Sequence, residues 1–241
     1  MPLFPDYNAL FLHIPKTAGR SIETALLPRG VAATSGRRRR LNRAAHLLQT
    51  RTANPTAARH LVGTLDVSLC AQHLTLAEIE LLGLIPDRDL AGLLKFCVVR
   101  NPFARAISSV MHFRSRFAHR YRLDPTPTPE QLERALEVWA ALDPVDHNLR
   151  AHRRPQADFL FDRDRAIAVD RVLRFETLHK DFAALAAEIG APVSALPWIG
   201  RSTPARGGYA AFYTPRARRI VAGLYGADLE LLGYHFEAGE A

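Results

Sequence analysis

The turn at residues 15–21 gathers residue types that bind phosphate. It holds one of only three lysines in the chain, Lys16, together with the hydroxyls of Thr17 and Ser21 and the permissive backbone of Gly19. The ammonium group supplies positive charge, the hydroxyls donate hydrogen bonds, and glycine lets the main chain approach an anion closely. A helix that begins here would add its first amide groups and the positive end of its dipole. The turn is therefore a candidate phosphate-binding loop.

This turn differs from the phosphate loop of nucleoside-triphosphate enzymes. That loop has the pattern GxxxxGK[ST], in which the lysine stands at the helix start. The present turn lacks the first glycine and the final GK[ST] segment, and Lys16 lies early in it. The pattern therefore disfavours a site for ATP with magnesium. A nucleotide kinase-like phosphoryl transferase is kept as an alternative function.

A second set of anion-binding residues follows the strongest strand pattern, at 93–99. Arg100 stands where that strand should end, and a guanidinium can hold a phosphate through two parallel hydrogen bonds. Asn101 is a typical N-cap and Pro102 a typical first helical residue. Ser108 lies eight positions after Arg100, a little over two helical turns, and so on roughly the same helix face. The spacing thus allows Arg100 and Ser108 to bind one anion.

Both sets of residues need a framework that brings them together. Apolar runs predict a buried parallel strand at 7–14 and further strands at 67–72, 93–99 and 169–175. Helix patterns predict helices at about 20–27, 75–82, 102–119, 129–142, 178–189 and from 215 onward. This alternation indicates an α/β fold with a central, mainly parallel sheet flanked by helices. Ligands of such folds bind beyond the carboxyl ends of the strands, so we expect the 15–21 turn, His73 and Arg100 at one sheet edge.

Three further helix starts carry side-chain capping signals. Thr75 with Glu78, and Thr128 with Gln131, show the Thr-x-x-Glu/Gln pattern of a capping box. Thr214 precedes a proline, which is favoured at the first helical position. These signals fix where three of the predicted helices should begin.

Length and composition indicate one globular domain spanning residues 1–241. The chain is 48% hydrophobic, which is enough for a core. No run approaches the roughly 20 apolar residues of a membrane span, and the start lacks the basic and apolar regions of a signal peptide. We therefore expect a cytoplasmic protein. Cys70 and Cys97 both sit in apolar runs, which indicates buried thiols and neither a disulfide framework nor a metal site.

The charge balance favours anionic ligands. The formal net charge is +8, and arginine supplies nearly all of the positive charge. The Arg37–Arg40 run is typical of a solvated face, and contact with an anionic acceptor is the alternative. A nucleic-acid-binding protein is another candidate, but the chain lacks the interleaved basic and aromatic residues of a binding platform, so no nucleic acid is expected.

Two longer segments resemble the nucleotide-binding motifs of one enzyme family. The segment 11–22, FLHIPKTAGRSI, resembles the 5′-phosphosulfate loop of sulfotransferases that use 3′-phosphoadenosine 5′-phosphosulfate (PAPS), and is closest to the branch that includes the polysaccharide 2-O-sulfotransferases. The segment 98–109, VVRNPFARAISS, resembles the 3′-phosphate motif of that family. Weaker similarities follow in the family's order at 70–74, 152–160, 173–178 and 224–234. The resemblance implies a P-loop-like three-layer sandwich, a single sulfotransferase domain, and sulfuryl transfer from PAPS to a hydroxyl, for which a carbohydrate or glycoconjugate is the expected carrier.

The resemblance also implies roles for particular residues. Lys16 would neutralise the bridging oxygen as the S–O bond breaks, and His73 would act as general base; capping of the next helix or a core position are the alternatives for His73. Arg100 and Ser108 would bind the 3′-phosphate. No metal is needed in this scheme.

The remaining roles concern binding of the PAPS donor and of the acceptor. The 5′-phosphosulfate would be held by the loop residues Thr17, Ala18, Gly19, Arg20 and Ser21. Position 20 is often threonine in the family, and Arg20 departs from that pattern. Arg206 is expected in a loop that closes over the nucleotide. His152 and Gln156 are expected to contact the acceptor. A polysaccharide, a glycolipid, a small metabolite and a tyrosyl side chain are all open as acceptors, and the basic charge balance favours an anionic glycan. A protein that keeps the fold without catalysis is disfavoured because Lys16, His73 and Arg100 are all present.

Overall fold

The computed structural model describes residues 3–26, 73–143, 147–193, 195–197 and 208–237. Four features predicted above lie outside these residues, namely the strand at 67–72, the buried thiol of Cys70, the Arg37–Arg40 run and Arg206. The chain divides into two compact units, a first unit of residues 1–99 with 158–199 and a second unit of residues 100–157 with 200–241. One domain over the whole chain stays a prediction.

The regular elements alternate along the chain. The strands are β1 Leu3–Phe4, β2 Ala9–Leu12, β3 Leu94–Val99 and β4 Arg171–Arg174. The helices are α1 Gly19–Leu26, α2 Leu76–Leu81, α3 Asp87–Ala91, α4 Pro102–His112, α5 Pro129–Ala141, α6 His147–Arg153, α7 Leu178–Glu188, α8 Pro215–Leu224 and α9 Gly226–Leu232. Single 3-10 turns lie at Pro5–Tyr7, Ala157–Phe159, Phe175–Thr177 and Ala210–Phe212. No helix among the described residues has the length and apolar character that a membrane span requires.

The first unit is built on a four-stranded sheet in the order β1-β2-β3-β4. The pairs β2–β3 and β3–β4 are parallel, and the short β1 adds an antiparallel edge. Leu12 pairs with Cys97, so β2 and β3 end at the same sheet edge. Phe4, Phe11 and Phe96 stack on one face and pack with α1 and α7 in one apolar core. The prediction of an α/β fold with a mainly parallel sheet is confirmed.

The second unit is helical and has a core of its own. Residues from α4, α5 and α8 bury Trp139, Leu136 and Val221 completely. The Trp139 indole donates to the Tyr225 hydroxyl at 3.3 Å, which satisfies the one polar atom of this ring. This core gives α4, which follows Arg100, a rigid support.

The predicted helix starts are confirmed. Thr75 and Thr128 each form a reciprocal capping box, with Glu78 and Gln131 respectively. The Asn101 side chain accepts a hydrogen bond at the start of α4, and the Thr214 side chain does so at the start of α8. These four caps depend on residues two or three positions apart, which is why sequence spacing identifies them.

The predicted helix over 102–119 is wrong in its length, because α4 ends at His112. Phe113, Phe117 and Tyr121 recur every four residues and are all buried, which imitates a helical stripe. The backbone keeps isolated turns there, such as Tyr121 N to Phe117 O at 3.0 Å. Arg116 and Arg120 stand four positions apart, and such like charges repel on a helix.

Candidate active site

The turn after β2 has an unusual backbone. Lys16 and Ala18 have φ angles of 69° and 68°, in the left-handed region that side chains other than glycine rarely occupy. Each residue held in this region lowers the stability of the fold by roughly 1–3 kcal/mol, and such strained residues are concentrated at functional sites. The Thr17 hydroxyl donates to the Ile14 carbonyl at 2.8 Å and is fully buried, so it braces the turn from within. Left-handed residues in a turn point successive amides into one concavity, which suits an anion.

Helix α1 begins directly after this turn. The Ala18 carbonyl accepts from the amides of Ser21 at 2.9 Å and Ile22 at 3.3 Å. Within the described residues, the amides of Gly19 and Arg20 donate to no backbone carbonyl. They form the positive end of the helix dipole. The half-buried Lys16 and the exposed Arg20 add positive charge at the same turn.

A buried hydrogen bond between two side chains supports the turn. His13 and Glu23 are almost completely buried, and His13 Nδ1 lies 2.7 Å from Glu23 Oε1. Burial alone would raise the pKa of Glu23, but the hydrogen bond and charge of His13, together with Arg20, hold this pKa below its ordinary value. Glu23 is therefore a carboxylate at neutral pH, and it fixes the ring of His13 beneath the loop.

Gly19 packs directly on this histidine ring. A Cβ atom at position 19 would lie 1.9 Å from His13 Nε2 and 2.2 Å from His13 Cδ2. No side chain fits there while the ring stays in place. The glycine is therefore required by close approach, and the ring of His13 sets the position of the first turn of α1.

His73 lies against the same histidine. Its ring meets that of His13 edge to face, with centroids 4.7 Å apart, and it is only 6% exposed. His73 Nδ1 lies 2.7 Å from the His13 carbonyl oxygen. A carbonyl oxygen can only accept, so Nδ1 carries a proton in this bond, and in the neutral ring Nε2 is then the basic nitrogen. The hydrogen-bond network assigns this tautomer. Helix α2 is capped by Thr75 and not by His73, so the capping alternative for His73 is wrong.

Arg100 and Ser108 belong to the second unit. Arg100 is the residue after the last residue of β3, and Ser108 lies on α4; both are half-buried. The backbone of Arg100 is held on both sides by Gln156, whose amide bonds to its N–H and to its carbonyl, each at 2.8 Å. The side chain of Arg100 thus extends from a main chain that Gln156, in another segment, holds by two hydrogen bonds.

The two residues predicted to contact an acceptor are deeply buried. His152 is 4% exposed and stacks on His112, with ring centroids 5.2 Å apart. Gln156 is fully buried, and its amide is engaged by Arg100 and Asp228. Acceptor contact by either residue stays a prediction. Arg206 lies outside the described residues.

Sequence reasoning did not single out two acids that support these sites. Glu23 lies on α1 between the buried Ile22 and Leu26, and Asp228 lies on α9 four positions before Leu232. Both acids are on the buried face of a short helix. An acid at such a position signals a buried partner, because an unpaired buried charge is strongly unfavourable. The partner itself cannot be identified from the spacing.

Comparison with known proteins identifies the family of this chain. A family model described as "Sulfotransferase family" matches residues 84–235, well over half of the chain. Arg100, Ser108 and Gln156 fall inside this match, whereas the 15–21 turn and His73 precede it. Neither the comparison with curated proteins nor that with solved structures gives a match. The chain belongs to the sulfotransferase family.

Proposed function

We propose that this protein transfers a sulfuryl group from PAPS to a hydroxyl of a carbohydrate or glycoconjugate. One observation carries the proposal. The left-handed loop with Lys16 and the Nδ1-protonated His73 are both anchored on His13 in the first unit. An anion-binding loop beside a basic imidazole nitrogen provides the two functions that sulfuryl transfer needs, which are charge stabilisation and removal of a proton.

The donor would be recognised at its two charged ends. The amides of Gly19 and Arg20, with Lys16, suit the 5′-phosphosulfate, because they join a helix N-terminus to a lysine. Arg100 and Ser108 suit the 3′-phosphate, since a guanidinium and a hydroxyl both donate to phosphate oxygens. A nucleotide with a 3′-phosphate would therefore be preferred to a plain adenylate.

The reaction would be an in-line displacement at sulfur. The acceptor oxygen forms a bond to sulfur as the bond from sulfur to the 5′-phosphate oxygen breaks, and adenosine 3′,5′-bisphosphate leaves. The proton of the acceptor hydroxyl passes to His73 Nε2, and Lys16 stabilises the charge on the leaving oxygen. Most of the rate enhancement would come from positioning and charge stabilisation, as in phosphoryl transfer.

An anionic glycan is the acceptor that the charge distribution favours. The formal net charge is +8. In the second unit, Arg114, Arg120 and Arg122 are all exposed within nine residues, and none of them has an acidic partner among the described residues. Carboxylates or sulfates of a polysaccharide would supply the missing negative charge.

Calorimetric titration tests the nucleotide site. The wild type is expected to bind adenosine 3′,5′-bisphosphate with a Kd in the micromolar range and to bind ATP with magnesium much more weakly. Arg100→Ala should raise the Kd for the bisphosphate about 10- to 100-fold, because the charged hydrogen bonds between the guanidinium and the 3′-phosphate are lost. Arg88→Ala, which removes an exposed arginine of the first unit, is the control and should change nothing.

A transfer assay completes the test. Labelled sulfate from PAPS should appear on a polysaccharide with free hydroxyl groups and not on a tyrosine peptide. A wild-type protein that binds no bisphosphate would remove the basis of the proposed function.

A further inference from the structure

We propose that Gln156 is a positioning residue for nucleotide recognition. Its buried amide fixes the main chain of Arg100 and so directs the Arg100 guanidinium toward the 3′-phosphate. The inference rests on the proposed function, in which Arg100 binds that phosphate. It gives Gln156 a part in donor specificity, a different part from the acceptor contact expected from sequence.

The contact between Gln156 and Arg100 uses both polar atoms of the amide. Gln156 Oε1 accepts from the Arg100 N–H at 2.8 Å, and Gln156 Nε2 donates to the Arg100 carbonyl at 2.8 Å. One side chain thereby pairs with both main-chain groups of a single residue, as a neighbouring strand would. Arg100 lies after β3 and before the N-cap of α4, so it is outside both regular elements.

The orientation of the amide is itself fixed. Gln156 Nε2 also donates to Asp228 Oδ2 at 3.2 Å, and the other carboxylate oxygen of Asp228 accepts from the Ala157 N–H at 2.8 Å. An amide nitrogen carries two hydrogens, and both are used here. Rotating the amide by half a turn would set its oxygen against the Asp228 carboxylate and the Arg100 carbonyl. Asp228 therefore holds Gln156 in the one orientation that can pair with Arg100.

Arg105 completes the network from α4. Its Nη1 lies 4.0 Å from Asp228 Oδ2, and its Nη2 donates to the carbonyls of His152 at 3.3 Å and Arg154 at 2.9 Å. Arg105 and Asp228 are almost completely buried, so each balances the other's charge away from water. The carbonyl contacts hold the chain just before Gln156. The segment that carries Gln156 is thus fixed by partners other than Arg100.

This arrangement gives the amide a role beyond packing. The guanidinium of Arg100 stands at the end of a long flexible side chain, so a small rotation of its main chain moves the guanidinium by a large distance. Two-point recognition of a phosphate by a guanidinium tolerates little misplacement. Holding both main-chain groups of Arg100 removes that freedom before the nucleotide binds.

The test compares two nucleotides on one variant. Gln156→Met keeps the length and approximate volume of the side chain but removes every hydrogen bond of the amide. We measure Kd for adenosine 3′,5′-bisphosphate and for adenosine 5′-monophosphate by competition titration. The bisphosphate Kd should rise about tenfold, while the monophosphate Kd stays within about twofold, because only the bisphosphate uses Arg100.

A matched control separates this effect from a general loss of hydrogen bonds. Gln131 lies in the same unit, and its amide bonds to Thr128 N at 3.1 Å and Asp124 Oδ2 at 2.9 Å. Gln131→Met removes comparable bonds at a position that does not contact Arg100, so both nucleotide constants should stay unchanged. If Gln156→Met does not fold, Gln156→Asn replaces it, since asparagine keeps an amide at this buried position but is one methylene too short to reach both main-chain groups of Arg100. The Kd for the bisphosphate should again rise more than the Kd for the monophosphate.

A double variant shows whether Gln156 acts through Arg100. If it does, Gln156→Met combined with Arg100→Ala binds the bisphosphate as weakly as Arg100→Ala alone. Additive losses, equal losses for the two nucleotides, or no loss in the single variant would each overturn the inference. Failure of the proposed function is distinguishable, because it would already be seen as absent bisphosphate binding in the wild type.

Discussion

His13 is the residue on which both parts of the first-unit site depend. Its ring lies between Glu23 and Gly19, and its carbonyl accepts a hydrogen bond from His73 Nδ1–H. The side chain therefore supports the proposed phosphate loop, while the main chain sets the tautomer of the proposed base. A buried histidine directly after a strand would ordinarily be regarded as structural, and here its contacts hold the residues that the proposed function requires.

Replacing His73 tests the proposed base at the residue scale. His73→Asn keeps a donor to the His13 carbonyl but removes the basic nitrogen, so kcat should fall about 10²- to 10⁴-fold. The Kd for adenosine 3′,5′-bisphosphate should not change, because His73 is not proposed to contact the nucleotide phosphates. Steady-state kinetics and calorimetry measure the two quantities. His119→Asn, at an exposed histidine of the second unit, should leave kcat unaltered. A variant of His73 with wild-type kcat would exclude it as the base.

Gly19→Ala tests the close approach of α1 to His13. The new methyl group would lie 1.9 Å from His13 Nε2, so the ring or the helix start must move. Overpacking of this kind costs about 1–3 kcal/mol of unfolding free energy, and nucleotide affinity should fall with it. Gly223→Ala on α8 is the matched control, since its Cβ meets nothing within 4 Å. It should stabilise the protein by about 0.5–1 kcal/mol. Urea unfolding measures the free energy of unfolding of both variants. An equal change in this free energy for the two substitutions would contradict the packing argument.

At the scale of elements, two helix caps lie next to residues that the proposed function requires. Thr75 caps α2 two positions after His73, and Asn101 caps α4 one position after Arg100. Each cap fixes the main chain close to a side chain with a proposed role in the reaction. The Gln156 amide serves the same purpose for Arg100 from another segment. Short-range and long-range hydrogen bonds thus act together on the same few positions.

A pair of matched cap variants tests this idea. Thr75→Ala and Thr128→Ala each remove the hydroxyl of a capping box, and each should cost about 1 kcal/mol of unfolding free energy. Only Thr75→Ala should also lower kcat, by severalfold, because α2 begins beside His73. Thermal unfolding and initial rates at saturating PAPS measure the two effects. An equal reduction of kcat in both variants would indicate a general effect of stability.

The whole molecule carries a field that favours anions. The chain has 32 lysine and arginine residues against 24 aspartate and glutamate residues. Such an excess attracts charged ligands over distances that salt shortens, to about 10 Å at 0.1 M ionic strength. An anionic glycan acceptor would therefore gain from the field, and an uncharged acceptor would not.

Salt dependence of the reaction tests the acceptor class. At saturating PAPS, the KM for an anionic polysaccharide should rise severalfold between about 0.05 and 0.5 M salt, because exposed charges are screened. The KM for an uncharged oligosaccharide should change little under the same conditions. Initial-rate measurements with both acceptors provide the comparison. A similar response of the two acceptors would mean that the positive surface does not select the acceptor.

Local and periodic features were predictable from the sequence. The strand before Lys16, the strand before Arg100 and the capped helix starts all depend on residues close together in the chain, and the structure confirms them. The parallel sheet followed from the alternation of strands and helices. The end of α4 did not follow, because the apolar spacing continues beyond His112 while the backbone breaks into isolated turns.

The amino-acid sequence by itself determined the α/β order of elements and the residue types of the proposed phosphate loop. Only the tertiary structure decided which buried groups support them. The bond from His73 to the His13 carbonyl joins residues 60 positions apart, and those from Gln156 to Arg100 join residues 56 positions apart. Nothing in the spacing of a single chain selects such partners. Packing selects them, because a buried polar group is stable only where another segment supplies its hydrogen bonds.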